Sequence, residues 1–165
     1  MAVRPILLYP DPILKQLAAP VVLDDPELKV LVQDMVDTLA ASPGVALAAP
    51  QIGRLLQVIV VDVRRKKGEI GHGLIVLLNP RLVQHDQPRL IREGCLSVPD
   101  YTGNVLRYGE TIVEGITPEG QNLTLVTSGF EALAFQHEVD HLNGMLFLDR
   151  IQSLSTDLFR RKLKN

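Results

Sequence analysis

Two imidazoles four residues apart, with a carboxylate between them, are the most reactive grouping in the chain. In Gln136-His137-Glu138-Val139-Asp140-His141, helical spacing sets His137 and His141 one turn apart on one face, the separation that two ligands of one metal ion require. Glu138 stands about 100° round such a helix from His137, near enough to meet a water on the metal and turned away from ligating it. The H-E-x-x-H pattern predicts His137 and His141 as ligands and Glu138 as general base. Without a metal, the same rings would be ordinary buried histidines of a core.

Whether such a centre is structural or hydrolytic depends on its third ligand: four protein ligands close a site, whereas three leave a position for water. Six residues beyond His141, where a metzincin-type protease places a third histidine, stands Phe147, and no glutamate follows Glu138 to serve as in a thermolysin-like protease. The remaining donor is expected upstream, unless Asp149 or Asp157 serves. Upstream, Glu93-Gly94-Cys95-Leu96-Ser97-Val98-Pro99 carries the single cysteine. A Cys95 thiolate near both rings would complete a three-ligand site, with Gly94 letting the backbone come close. The other reading of Cys95 is a small, inert buried thiol. Arg107 either pairs with Glu93 and braces the cysteine loop or lies solvated on the surface. His72 and His85, in polar, loop-like surroundings, are not expected to be ligands.

The elements that must hold these groups follow from local pattern. Ser128-Gly129-Phe130-Glu131 reads as a capping box and Asn143-Gly144 as a stop, which predicts a helix over about 129 to 142. Ala132, Phe135, Val139 and Leu142 lie opposite the histidines, so one face packs on a core while the other serves the site. An earlier helix is predicted from Asp25-Pro26 to about residue 41, with Leu28, Leu31, Val32, Met35 and Leu39 as its apolar stripe. Tyr9-Pro10-Asp11-Pro12 is a rigid turn segment before a short helical turn. Strands are predicted at Gln57 to Val63, Leu74 to Leu78, Arg81 to Gln84, Val105 to Arg107, Thr111 to Ile116 and Asn122 to Thr127. Asn79-Pro80 interrupts them, and Thr117-Pro118-Glu119-Gly120 reads as a hairpin turn. The small residues of Gly44 to Gly53 suit either a close backbone approach to a ligand or a tight packed loop. Arg64 to Gly68 reads as a solvated turn. Leu154 to Leu163 reads as a short C-terminal helix whose basic residues, Arg160, Arg161, Lys162 and Lys164, complement its dipole.

With 165 residues, 46% of them apolar, the chain suits one core, and a single domain over 1–165 is expected. Lys plus Arg total 17 against 19 Asp plus Glu, so no global field draws nucleic acid or anionic lipid, and a small-molecule or peptide partner fits better. Arg4-Pro5 and the prolines after it argue against a signal peptide or membrane span, and one cysteine excludes an internal disulfide; a cytoplasmic location is expected.

Taken together, Gly44 to Gln51, Glu93 to Ser97 and Gln136 to His141 occur in the order and with the content of the three signature motifs of the peptide deformylase family, and the chain resembles its bacterial type. Tyr9-Pro10-Asp11-Pro12 and Leu146 to Arg150 extend the resemblance across essentially the whole chain. E-G-C-L-S upstream of Q-H-E-x-D-H is far more specific than H-E-x-x-H, which many proteases share. The resemblance implies an α+β fold: antiparallel or mixed β-sheets packed around a central metal-binding helix, with flanking N-terminal and C-terminal helices. It implies removal of the formyl group from the N-terminal formyl-methionine of new polypeptides, releasing formate. It also implies Fe(2+) as native metal, with Zn(2+), Ni(2+) or Co(2+) able to occupy the site on isolation; one Cys and two His alone also suit zinc.

By the same resemblance, Cys95, His137 and His141 are the metal ligands and Glu138 moves the proton. The Gln51 amide and the Leu96 backbone N–H would donate to the developing oxyanion, and substrate would lie along Gly44, Val45, Ala46 and Gly94. One residue departs from the family: its first motif usually reads G-x-G-L-A-A-x-Q, and Ala46 replaces the second glycine. The added methyl bears on substrate affinity more than on the chemistry. Formyl-methionyl nascent peptides are the implied partners, and the basic C-terminus is a candidate contact for the ribosome surface. Neither sequence-specific nucleic acid nor a membrane is expected. Two rivals share part of the pattern. A small metallopeptidase is disfavoured by the upstream cysteine and the lack of a downstream third ligand. A metal-stabilised binding protein is disfavoured by Glu138 and Gln51, which a structural site does not need.

Overall fold

In the computed structural model, which describes residues 2–162, eight strands form two antiparallel sheets about one buried helix. The larger sheet has the spatial order β1 (Ala46–Ala48), β2 (Val58–Val61), β3 (Ile75–His85), β6 (Glu110–Ile116), β7 (Asn122–Ser128). The smaller one is β4 (Pro88–Cys95), β5 (Val98–Tyr108) and β8 (Leu158–Arg160). The helix α2 (Gly129–Leu142) packs on every strand of the larger sheet and on β5 of the smaller, and α1 (Leu28–Ala40) covers β1 and β2. The fold is α+β, with the metal-motif helix at its centre as expected.

Strand β2 shows why the layers hold. Its side chains alternate across the sheet: Ile59 and Val61 join Phe135 and Leu142 of α2 in one core, while Val58 and Val60 join Leu31 and Met35 of α1 in another. Covered on both sides, β2 carries no exposed residue. A third core, of Leu14, Val98, Val105, Leu146 and Phe147, includes Cys95.

Several local expectations are corrected. Helix α2 has the expected range, but the capping box does not form: Ser128 makes no side-chain cap bond, and Glu131 turns instead to His72, taking its backbone N–H at 2.7 Å and its ring Nδ1 at 2.5 Å. Helix α1 starts at Leu28, because the Asp25 carboxylate accepts the Glu27 N–H and makes a turn ahead of the helix. Val63 leaves β2 for a single 3-10 turn capped by Asp62. Asn79-Pro80 does not divide two strands: β3 runs through it with a register slip between Leu78 and Arg81, Asn79 adopting φ 50°. That bulge is held by a reciprocal pair of bonds between the Asn79 amide and the Val21 backbone, at 2.7 and 3.1 Å. The C-terminal helix is one turn, Leu154–Asp157, after which β8 pairs with β5, Tyr101 opposite Arg160; Leu163 and Lys164 lie outside the described residues. No helix among the described residues is long and apolar enough to cross a membrane.

Candidate active site

The site forms where α2 meets the turn between β4 and β5. The β4–β5 pairing slips between Gly94 and Cys95, and the two residues Leu96-Ser97 then reverse the chain, Cys95 facing Val98. This presents the Cys95 sulfur towards α2. Its Sγ lies 3.4 Å from His141 Nε2, which is 3.2 Å from His137 Nε2. The ligand atoms of Cys95, His137 and His141 all fall within 4.8 Å of one another. The other candidate donors lie elsewhere: Asp149 pairs with Lys15 and accepts the Leu146 N–H, and Asp157 accepts from Asn104. His85 stacks on Tyr108, and His72 is held by Glu131.

One thiolate and two imidazoles are a donor set that fits a divalent transition metal with a position left for water. One further atom supports the fit: Glu138 Oε2 is buried without a hydrogen-bond partner among the described residues. Burial pushes the Glu138 carboxyl up to about 7, with the positive charge of His137 opposing. Burial and the neighbouring His137 together hold His141 neutral, as a ligand must be. Burial works against a charged His137, but Cys95 and Glu93 outweigh it and draw the ring towards its cationic form.

Behind the Cys95–His137–His141 cluster runs a chain of ion pairs. Glu93 binds His137 Nδ1, which turns Nε2 inward to the cluster. Arg107 grips the same carboxylate through Nε and Nη2, and its Nη1 meets Asp140 Oδ2 at 2.7 Å. Arg150 forks onto both oxygens of Asp140, at 2.5 Å to the Oδ2 it shares with Arg107 and 2.7 Å to Oδ1. Burial disfavours the charge on Glu93, yet His137 and Arg107 prevail and hold it down at about 2. Of the two readings of Arg107, the pair with Glu93 is the one present, and Asp140 and Arg150 join it. Ser97, also unforeseen, accepts from Gln51 Nε2 at 3.0 Å and sends its N–H to Cys95 Sγ at 3.4 Å. Gln136 clamps α2 to β5 through both backbone groups of Tyr108, each at 2.8 Å. Its signal in the sequence is a polar side chain on a helix with one face expected on the core and the other in the site.

A groove of about 850 Å³ opens onto the cluster, lined by Gly44, Val45, Ala46, Gln51, Gly94, Cys95, Leu96, His137 and Glu138. Every expected site residue is there except His141, which lies beneath with no exposed surface. The groove runs between β1 and β4, the end strands of their two sheets, so an extended peptide could add to a free strand edge. The two banks touch: a Cβ at Gly44 would stand 2.7 Å from Leu96 Cδ1, which explains a glycine there. Gln51 takes the Ala48 N–H on Oε1 at 2.9 Å, and this leaves its amide nitrogen facing Ser97 Oγ and, at 3.7 Å, Cys95 Sγ. The Ala46 methyl belongs to the core packed under α2 as well as to the groove wall.

Comparison with known proteins agrees with this geometry. Residues 3–157 match the family described as polypeptide deformylase. A peptide deformylase of Syntrophobacter fumaroxidans is 46% identical over 99% of this chain and 95% of its own length. A crystal structure of a peptide deformylase from Legionella pneumophila superimposes with a TM-score of 0.85 at 39% identity, covering 93% of this chain and 88% of that one. A class I type b peptide deformylase of Acinetobacter baumannii, solved with Met-Ala-Ser bound, superimposes with a TM-score of 0.84 at 37% identity, covering 91% and 100%. A match that runs nearly end to end and takes in all three site segments leaves one assignment: the chain belongs to the peptide deformylase family.

Proposed function

We propose that this chain acts as a single catalytic domain that hydrolyses the formyl amide of N-terminal formyl-methionine on newly made polypeptides, releasing formate. The observation that carries the reading is the meeting of Cys95, His137 and His141 beside an unpartnered, buried Glu138 at the floor of a peptide-sized groove. Cys95, His137 and His141 would hold the metal, with Fe(2+) as the native ion and Zn(2+), Ni(2+) or Co(2+) as substitutes. When bound, such a cation supplies Lewis acidity, polarising a carbonyl and lowering the pKa of a water towards neutrality.

The chain's own groups do the rest. Glu138 takes a proton from the attacking water and returns it to the departing amine, a task suited to a carboxyl whose pKa lies near neutrality. The Gln51 amide and the Leu96 N–H stabilise the oxygen on which charge develops; Gln51 must trade its bond to Ser97 to do so. Gly44, Val45 and Ala46 on one bank and Gly94 on the other hold the peptide backbone, and a formyl carbon, bearing only hydrogen, enters where an internal amide is too bulky. The Met-Ala-Ser peptide in the Acinetobacter relative is the product such a reaction would leave, which supports the reading. A cytoplasmic setting, with the basic C-terminus against the ribosome surface, completes it.

The test is an anaerobic assay with matched formyl- and acetyl-methionyl peptides, with metal content measured on the same sample. Formate from the formylated peptide alone is the expected result. Cleavage at an internal bond would replace this reading with a peptidase.

A further inference from the structure

We infer that the mouth of the groove selects peptides with acidic side chains at the two positions after the methionine, and that Arg161 is the residue that reads them. This rests on the deformylase reading and adds a substrate preference to it. Strand β8 delivers the arginine: the Arg161 N–H donates to Asp100 O at 2.7 Å, prolonging the β5–β8 pairing. Its side chain then crosses back into the groove, close enough to Gly94 that a methyl group there would overlap the guanidinium. Gly94 adjoins Cys95, so the cation stands over the path of a chain leaving the metal cluster.

Three more cations surround the same opening. Arg92 stacks on Phe159 of β8 at 3.6 Å, Arg65 is held by the carbonyls of Gly44 and Ser42, and Lys66 lies over Phe130 at 4.1 Å. All four are exposed, and none makes an ion pair among the described residues. The two carboxylates that line the groove, Glu93 and Glu138, are in its floor, and Glu93 is already paired with the Arg107 guanidinium. On a chain of net charge −2, this opening is a local positive field. A peptide bound along the strand edges passes beneath these unneutralised cations, and a carboxylate there gains what a lysine loses.

The test compares kcat/KM for the amidated peptides formyl-Met-Glu-Glu, formyl-Met-Gln-Gln and formyl-Met-Lys-Lys, with binding of the three deformylated peptides measured alongside. The expected order is Glu above Gln above Lys, with about fivefold between the extremes, the size that exposed ion pairs reach. The spread should shrink at high salt, where charges more than a few ångströms apart are screened. Arg161→Glu should flatten the order, since Arg65, Lys66 and Arg92 remain, and an unchanged ratio in that variant would overturn the assignment to Arg161. Equal constants, a preference for lysine, or a ratio untouched by salt in the wild-type protein would overturn the inference and leave the hydrolase reading standing. If no formylated peptide yields formate, the hydrolase reading fails, and the ratio of product affinities decides the inference alone.

Discussion

Arg107 grips Glu93 with two parallel bonds, 2.8 and 2.6 Å, and both side chains are almost wholly out of solvent, 2% and 8% exposed. A forked pair is the strongest geometry such groups have, but taking two charges out of water makes the pair costly to break from one side only. The carboxylate it braces is the one that orients His137. Arg107→Met should therefore destabilise the protein by about 3 to 5 kcal/mol, the usual penalty for one buried charge left alone. It should also weaken metal binding by about 10- to 100-fold through the loosened histidine. Chemical denaturation and titration against a chelator measure the two effects. A variant with normal metal affinity would mean that Glu93 orients His137 without help from Arg107.

The proposed proton carrier makes a different forecast. Glu138→Ala keeps all three ligand atoms in place, so metal content should match the wild type while turnover on a formyl-methionyl peptide falls by about 10²- to 10⁴-fold, the usual worth of general base catalysis. Turnover near the wild-type level would refute the assignment.

Cys95→Ser replaces a soft sulfur with a hard oxygen and leaves His137 and His141 unchanged. The variant should hold metal more weakly, with its preference shifted among ions. Metal analysis after dialysis against several divalent ions would show this. An iron-loaded wild-type sample should lose activity in air faster than a zinc- or nickel-loaded one, since both the iron and the thiolate are oxidisable. Equal lifetimes in air would count against iron as the native metal.

What local pattern reveals, and what it hides, follows from how far apart the partners lie. The stop of α2 is legible because it acts within a few residues: the Asn143 and Gly144 N–H groups turn back onto Asp140 O and His141 O at 2.9 and 3.1 Å, with Gly144 at φ 71°. The role of Glu131 is not legible, since its partner His72 lies 59 residues away and competes with the local cap. The basic residues after Leu154 read equally well as a helix end, yet pairing of Leu158–Arg160 with β5 overrides that tendency. Nor does spacing alone bring Cys95 to His141, 46 residues on; two rings one turn apart say that a third donor is needed and not where it comes from. The Arg107–Glu93 pair is legible only as one of two options, because burial decides it.

The last prediction concerns acid stability away from the Cys95–His137–His141 cluster. Asp86 Oδ1 accepts the Gly109 N–H at 2.9 Å and the Glu110 N–H at 3.1 Å, fastening the turn between β5 and β6. The bond from Glu110, with that from Gly109 and the charge of Arg89, holds its carboxyl below the usual carboxylate range against the cost of burial. A folded-state pKa below the unfolded value means that the ionised form stabilises the fold. The contribution is complete above the unfolded pKa of about 3.9 and is lost as pH falls through the folded value. Asp86→Asn keeps an acceptor but removes the charge. Its melting temperature should lie below that of the wild type at neutral pH by an amount that holds down to about pH 5 and shrinks below about pH 4. A gap that stays constant across that range would mean that charge at Asp86 plays no part in fastening the turn.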